Sequence, residues 1–175
     1  MNDSENPKNE NNRGMLLPKG AVPFVWAFIV LVIQVLLPWV AALIGPRFGW
    51  VQGAPAWWNL AGLIPVALGL GLYTWCLVFH YRSYRESVRV SFSPPHLVVA
   101  GPYQISRNPM YVSGLIVWLG WVLFYGSPVV FATFILLWAV FSLRVIPHEE
   151  SLLEGLFGDE YLAYKGTVRR WLGRY

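Results

Sequence analysis

The stretch from Asn108 to Leu143, NPMYVSGLIVWLGWVLFYGSPVVFATFILLWAVFSL, runs for 36 residues without one charged side chain. Wound as a single helix at 1.5 Å per residue it would measure about 54 Å, nearly twice the hydrocarbon thickness of a bilayer. Gly126-Ser127-Pro128 lies at its middle and supplies turn chemistry. The stretch therefore predicts a tight helical hairpin of two short spans, about 109–125 and 128–146, whose outer ends return to the same membrane face.

Working outward, Ala21 to Pro46 carries no charge and predicts a span over about 22–45, with Pro38 as a kink that neighbouring helices can accommodate. Arg47 to Pro55 reads as a loop. Trp57-Trp58 sit where an aromatic belt belongs, and a second span is expected over about 57–79. Residues 1–20 are polar and Asn-rich, and are expected to form a disordered cytoplasmic tail ahead of a single membrane-embedded domain, 21–175. That tail lacks a basic n-region and a small-residue cleavage site, so the first span is not read as a removable signal. In Arg144 to Tyr175 the residues Leu153, Phe157, Tyr161, Tyr164, Val168 and Trp171 recur at helical spacing, which predicts an amphipathic interfacial helix with a break at Gly158.

Composition agrees. The chain is 56% hydrophobic and 13% charged, whereas a soluble domain has roughly 45–50% apolar and about 25% charged residues. A chain of 175 residues has too little interior to hide the excess. A soluble globule, a disordered chain and a disulfide scaffold are all poor readings of such a composition. The fold class is all-α, a polytopic membrane protein of four transmembrane helices plus the C-terminal interfacial helix.

The net charge of +4 suggests a nucleic-acid partner only until the charges are placed. Twelve of the thirteen basic residues fall in the N-terminal tail, the 80–107 loop and the C-terminal segment. Four spans put those three segments on one side, which the positive-inside rule makes cytoplasmic, with both termini there (the inner or plasma membrane in a prokaryote). Arg82, Arg85 and Arg89 also suit anionic lipid headgroups, and membrane lipids are the expected surroundings. No nucleic acid is expected. Cys76 is the sole cysteine and lies in an apolar run, so neither an intramolecular disulfide nor a Cys-based metal site is available. Oligomeric state is not readable.

Two polar groups meet at the cytoplasmic end of the hairpin. The first runs from Gly101 through Pro102, Tyr103 and Arg107 to Asn108, Pro109, Met110 and Tyr111. Asn108 and Pro109 are ordinary helix-start residues. Capping alone does not explain why Tyr103, Arg107 and Tyr111 crowd that start, and a helix N-terminus beside an arginine makes a carboxylate receptor. The second is His148-Glu149-Glu150 after Pro147. Acids there suit a helix dipole, yet two carboxylates beside a membrane core are costly without a cationic or donor-rich partner. The antiparallel hairpin brings these groups face to face, a site suited to a zwitterion. In the second span, Gly69-Leu70-Gly71 reads either as close helix packing or as a notch where a ligand meets backbone.

Taken together these residues resemble the membrane-embedded methyltransferases that include isoprenylcysteine carboxyl methyltransferase and phosphatidylethanolamine N-methyltransferase, over roughly Gly69 to Arg170. The resemblance rests on Gly101-Pro102-Tyr103, Arg107-Asn108-Pro109-Met110-Tyr111, Glu149-Glu150, then Phe157-Gly158-Asp159-Glu160-Tyr161 with Tyr164, and Val168-Arg169-Arg170. It implies S-adenosyl-L-methionine as cofactor, bound by Gly69, Gly71, His96, Leu97, Val98, Tyr103, Asn108, Pro109, Met110, Tyr111, Glu149 and Glu150. Arg107, Tyr111 and Glu150 would carry the chemistry on a lipid-like acceptor, with Arg144 a candidate substrate contact. Asn108 is similar to the phospholipid branch, which methylates amines. The Phe-Gly-Asp-Glu-Tyr tail looks more like the branch that methylates isoprenylcysteine carboxylates. The expected enzyme is thus a methyltransferase of either kind. The alternatives are a sterol-reductase-like enzyme using NADPH and a non-catalytic membrane scaffold.

Overall fold

A computed structural model describes residues 28–83 and 96–175. The expected tail, the start of the first span, Arg85 and Arg89 lie outside them. The described chain is mostly helical: α1 (Phe28–Ala42), α2 (Leu63–Ser83) entered through a 3-10 turn at Asn59–Gly62, α3 (Pro109–Tyr125), α4 (Pro128–Phe157) and α5 (Asp159–Thr167). A two-strand hairpin, β1 (Trp50–Val51) and β2 (Ala54–Pro55), occupies the stretch expected to be loop.

Two helices are long and apolar enough to cross a membrane, Asn59–Phe79 and Pro128–Phe157. Only 22% and 11% of their most apolar windows are buried by the rest of the molecule, so their side chains need a solvent other than water. Helices Phe28–Ala42 and Pro109–Tyr125 are apolar but shorter.

The predicted hairpin forms. Gly126 closes α3 with φ +55°, a left-handed cap that a side chain rarely tolerates, and its N–H donates to the Val122 carbonyl at 2.9 Å. Ser127 caps α4, accepting from the Val130 N–H at 3.5 Å, and Pro128 takes the first helical position. Trp50, Trp121, Phe124 and Tyr125 knot this end together, with Trp50 Nε1 donating to the Phe124 carbonyl at 3.0 Å. Asn59 ties the start of α2 to it through the carbonyls of Phe48 and Leu123, both at 3.1 Å.

Helices α2 and α3 pack at backbone distance. A Cβ built on Gly69 would stand 2.8 Å from the Ser113 carbonyl oxygen, and one on Gly62 2.5 Å from that of Gly120. Small residues at such crossings let helices gain dispersion contact where no hydrophobic drive operates.

Three expectations need correction. The helix that carries the expected fourth span does not end at 146: α4 continues through Pro147 to Phe157. It can because Phe141–Val145 winds as a π turn, in which the Ile146 N–H reaches back to the Phe141 carbonyl and the wider register accommodates the donor that Pro147 lacks. Next, the C-terminal helix breaks at Gly158 as expected but stops at Thr167, so Val168 and Trp171 lie beyond it. Finally, the apolar stripe is covered by the protein itself: Tyr161, Tyr164 and Val168 pack with Leu97, Tyr103, Leu153 and Phe157.

Candidate functional site

After Thr167 the chain turns extended, and residues 168–175 zip onto the loop that precedes α3. The Arg107 N–H donates to the Arg169 carbonyl at 3.0 Å, and the Gly173 N–H to the Ile105 carbonyl at 2.8 Å. Ser106 Oγ and Asn108 Nδ2 both donate to the Arg170 carbonyl at 3.1 Å. Asn108 therefore does not cap α3 with its side chain; it fastens the helix start to this clasp. Pro109 is buried at the first helical position behind it.

Within this frame the two polar groups meet as the hairpin requires. Tyr111 on α3 donates its hydroxyl to Glu149 Oε1 on α4 at 2.6 Å, a short bond of the charge-assisted kind. The Tyr111 ring lies 4.8 Å, centroid to centroid, from Phe141 in the π turn. Beside this pair Glu150, 5% exposed, is held by two arginines. Arg170 donates Nε to Oε1 at 3.2 Å and Nη2 to Oε2 at 2.7 Å, while Arg107 Nη1 stands 3.3 Å from Oε1. Arg107 is itself buried, and its Nε and Nη1 have no hydrogen-bond partner among the described residues.

Tyrosines wall the triad. Tyr164 donates its hydroxyl to the Tyr103 carbonyl at 2.7 Å, so Tyr103 is fixed through its backbone. Burial first, and then the negative charge of Glu150, push the Tyr161 hydroxyl up to about 12, with Arg107 opposing. Burial raises Tyr164 as well. Both phenols are therefore neutral hydrogen-bonding groups at physiological pH.

The remaining expected residues are spread more widely. Leu97 joins the tyrosine cluster and Val98 is half-buried near it in sequence, whereas His96 is exposed. Met110 is half-buried, its carbonyl accepting from Ser113 Oγ at 2.7 Å. Gly69 faces the α3 backbone, while a Cβ on Gly71 would meet open space. Arg144, on the π turn, and His148 are exposed. Phe141 and Arg170 were not among the expected site residues. Phe141 is hidden in a uniformly apolar run, and Arg170 looks like any other topological cation.

This geometry spans the region where comparison with known proteins is informative. The sequence model of the phospholipid methyltransferase family matches residues 57–160, more than half of the chain and the whole of the α3–α4 hairpin. The chain belongs to this family. A probable protein-S-isoprenylcysteine O-methyltransferase of Oryza sativa subsp. japonica is 34% identical over 117 residues, 65% of this chain and 60% of that relative. Protein-S-isoprenylcysteine O-methyltransferase A of Arabidopsis thaliana is 31% identical over 115 residues, 64% of this chain and 58% of the relative. The corresponding Saccharomyces cerevisiae protein is 35% identical over 104 residues, 57% of this chain and 43% of the relative. The chain thus spans about 60% or less of the length of these relatives. Together with its two exposed apolar helices, membership in this family marks it as a membrane protein.

Proposed function

We propose that this chain is an integral-membrane methyltransferase that uses S-adenosyl-L-methionine to methylate a lipid-like acceptor. The observation that carries the reading is the union, at one end of the hairpin, of the Tyr111–Glu149 pair with the buried Arg107 side chain, whose Nε and Nη1 have no hydrogen-bond partner among the described residues. The donor set fits the cofactor. Arg107 has N–H groups for a carboxylate, Glu149 has a charge for an ammonium, and the faces of Tyr111 and Phe141 suit a sulfonium. When bound, the cofactor supplies a methyl group on positive sulfur, open to in-line displacement.

The protein's own part is chiefly positioning. The Tyr111 hydroxyl fixes the Glu149 carboxylate, the clasp fixes the start of α3, and the neutral phenols of Tyr161 and Tyr164 close the site without adding charge. An acceptor carboxylate is already ionised at neutral pH and needs no base. An amine acceptor needs one, for which Glu149, His148 and His96 are the candidates. The relatives' names favour an isoprenylcysteine carboxylate and the family description a phospholipid; both are lipid-borne groups that reach the hairpin from the bilayer. In this reading four helices cross the membrane, Arg144 meets the acceptor, and both ends of the chain face the cytoplasm with the site.

The direct test is calorimetric titration of the purified protein with S-adenosylhomocysteine. Saturable binding in the micromolar range is expected, and no heat at high micromolar ligand overturns the proposal. Transfer of a labelled methyl group in membranes containing the chain then identifies the acceptor.

A further inference from the structure

Arg170 enters the sequence reading only as part of a basic end, yet it joins three parts of the site. Its carbonyl holds Ser106 and Asn108, and so the chain entering α3. Its guanidinium takes Glu150 in a two-bond fork of 3.2 and 2.7 Å, the geometry that arginine offers and lysine does not. Glu150 has a second neighbour of the same charge, Arg107, 3.3 Å away and not aligned for a hydrogen bond. Two guanidinium groups around one carboxylate leave a net charge of +1 in a largely buried cluster. The side chain of Arg107 is 6% exposed, so its unpartnered Nε and Nη1 are costly unless something anionic fills them.

We propose that Arg170 is a positioning residue: by gripping both Glu150 oxygens it keeps Arg107 from being neutralised, and so leaves Arg107 open to the carboxylate of an amino-acid-bearing ligand. This rests on the cofactor reading above and extends it to a residue outside the expected site. Without Arg170, the nearest cation to Glu150 is Arg107. The two would close into a neutral fork and the anion receptor would disappear. The carboxylate of Glu150, not a lost scaffold contact, is then what harms binding.

The experiment compares two probes on the full chain in detergent or nanodiscs. S-adenosylhomocysteine carries the amino-acid carboxylate and 5′-methylthioadenosine lacks it. The wild type is expected to prefer the first. Arg170→Ala should weaken S-adenosylhomocysteine about tenfold or more while leaving 5′-methylthioadenosine within about twofold. Arg170→Lys should recover part of the loss, keeping the charge without the fork. Arg170→Ala combined with Glu150→Gln should restore the preference, because an uncharged side chain no longer neutralises Arg107. Equal loss of both probes, or no rescue by Glu150→Gln, overturns the proposal and leaves Arg170 a structural tie. A wild type that binds neither probe instead overturns the cofactor reading, a distinguishable result.

Discussion

Helices α1 and α4 carry the same local irregularity in different surroundings. In α1 a π turn at Val32–Leu36 sends the Leu37 N–H back to the Val32 carbonyl, and Pro38 follows. In α4 the π turn at Phe141–Val145 sends the Ile146 N–H back to the Phe141 carbonyl, and Pro147 follows. The wide turn widens the ring ahead of a residue that has no N–H to give. In α1 the carbonyl four residues before the proline, that of Gln34, is taken by Trp121 Nε1 from α3, so the defect is sealed inside the bundle. In α4 the turn carries Phe141 against Tyr111, and two residues past its proline stands Glu149. One device serves packing in the first helix and aims side chains in the second. A π turn holds about one residue more than an α turn, and each residue is worth about 100° of rotation. It therefore also sets which way everything downstream faces.

The strongest way to break the comparison is to remove what the α4 turn aims at. Glu150→Ala strands the buried Arg107 and should cost about 3 kcal/mol of stability, read by thermal unfolding in detergent. Arg170, over a third open to water, blunts that loss. The next test is a matched pair. Pro147→Ala lets α4 wind as a regular helix and turns Glu149 and Glu150 away, so S-adenosylhomocysteine should bind about tenfold more weakly, ~1.4 kcal/mol. Pro38→Ala should leave that affinity within about twofold, since Ala41 and Ala42, which follow it in α1, pack with Trp118, Tyr125 and Val130 and not with the site. A smaller effect sharpens the α1 side: Trp121→Phe removes the donor to Gln34 and should lower stability by about 1 kcal/mol with unchanged ligand affinity. The smallest is a pH effect downstream of the α4 turn. Tyr161 ionises near 10 when unfolded and at about 12 in place, so its favourable contribution is complete below pH 10 and disappears as pH rises to 12. Tyrosinate absorbance of the native protein should lose one late-titrating group in Tyr161→Phe, with no difference near neutrality.

Much of the hairpin was legible in the sequence because its signals are local. An uncharged run, a Gly-Ser-Pro centre and two polar ends set α3 at Pro109–Tyr125 and bring Tyr111 opposite Glu149. The continuation of α4 past Pro147 was not legible, since a proline normally marks an end and the π turn that absorbs it has no composition of its own. The clasp was less legible still. Its bonds join backbone groups of Ile105, Arg107, Arg169 and Gly173, and side-chain patterning carries no trace of such pairing. The stripe from Leu153 to Val168 was read correctly as apolar, but its partners Leu97 and Tyr103 lie on a distant loop. Amphipathicity says that a face is covered and not by what.

The clasp also dictates an order of assembly. Helices α3 and α4 meet through a two-residue link and can pair as soon as both have formed. Ser106 and Arg170 are 64 residues apart, so their bond closes a long loop, late and at an entropic cost that the hairpin never meets. A chain can thus be helical while its site is still open, and local release of residues 168–175 would return it to that state without disturbing the hairpin. Ligand affinity, more than helical content, would register the difference.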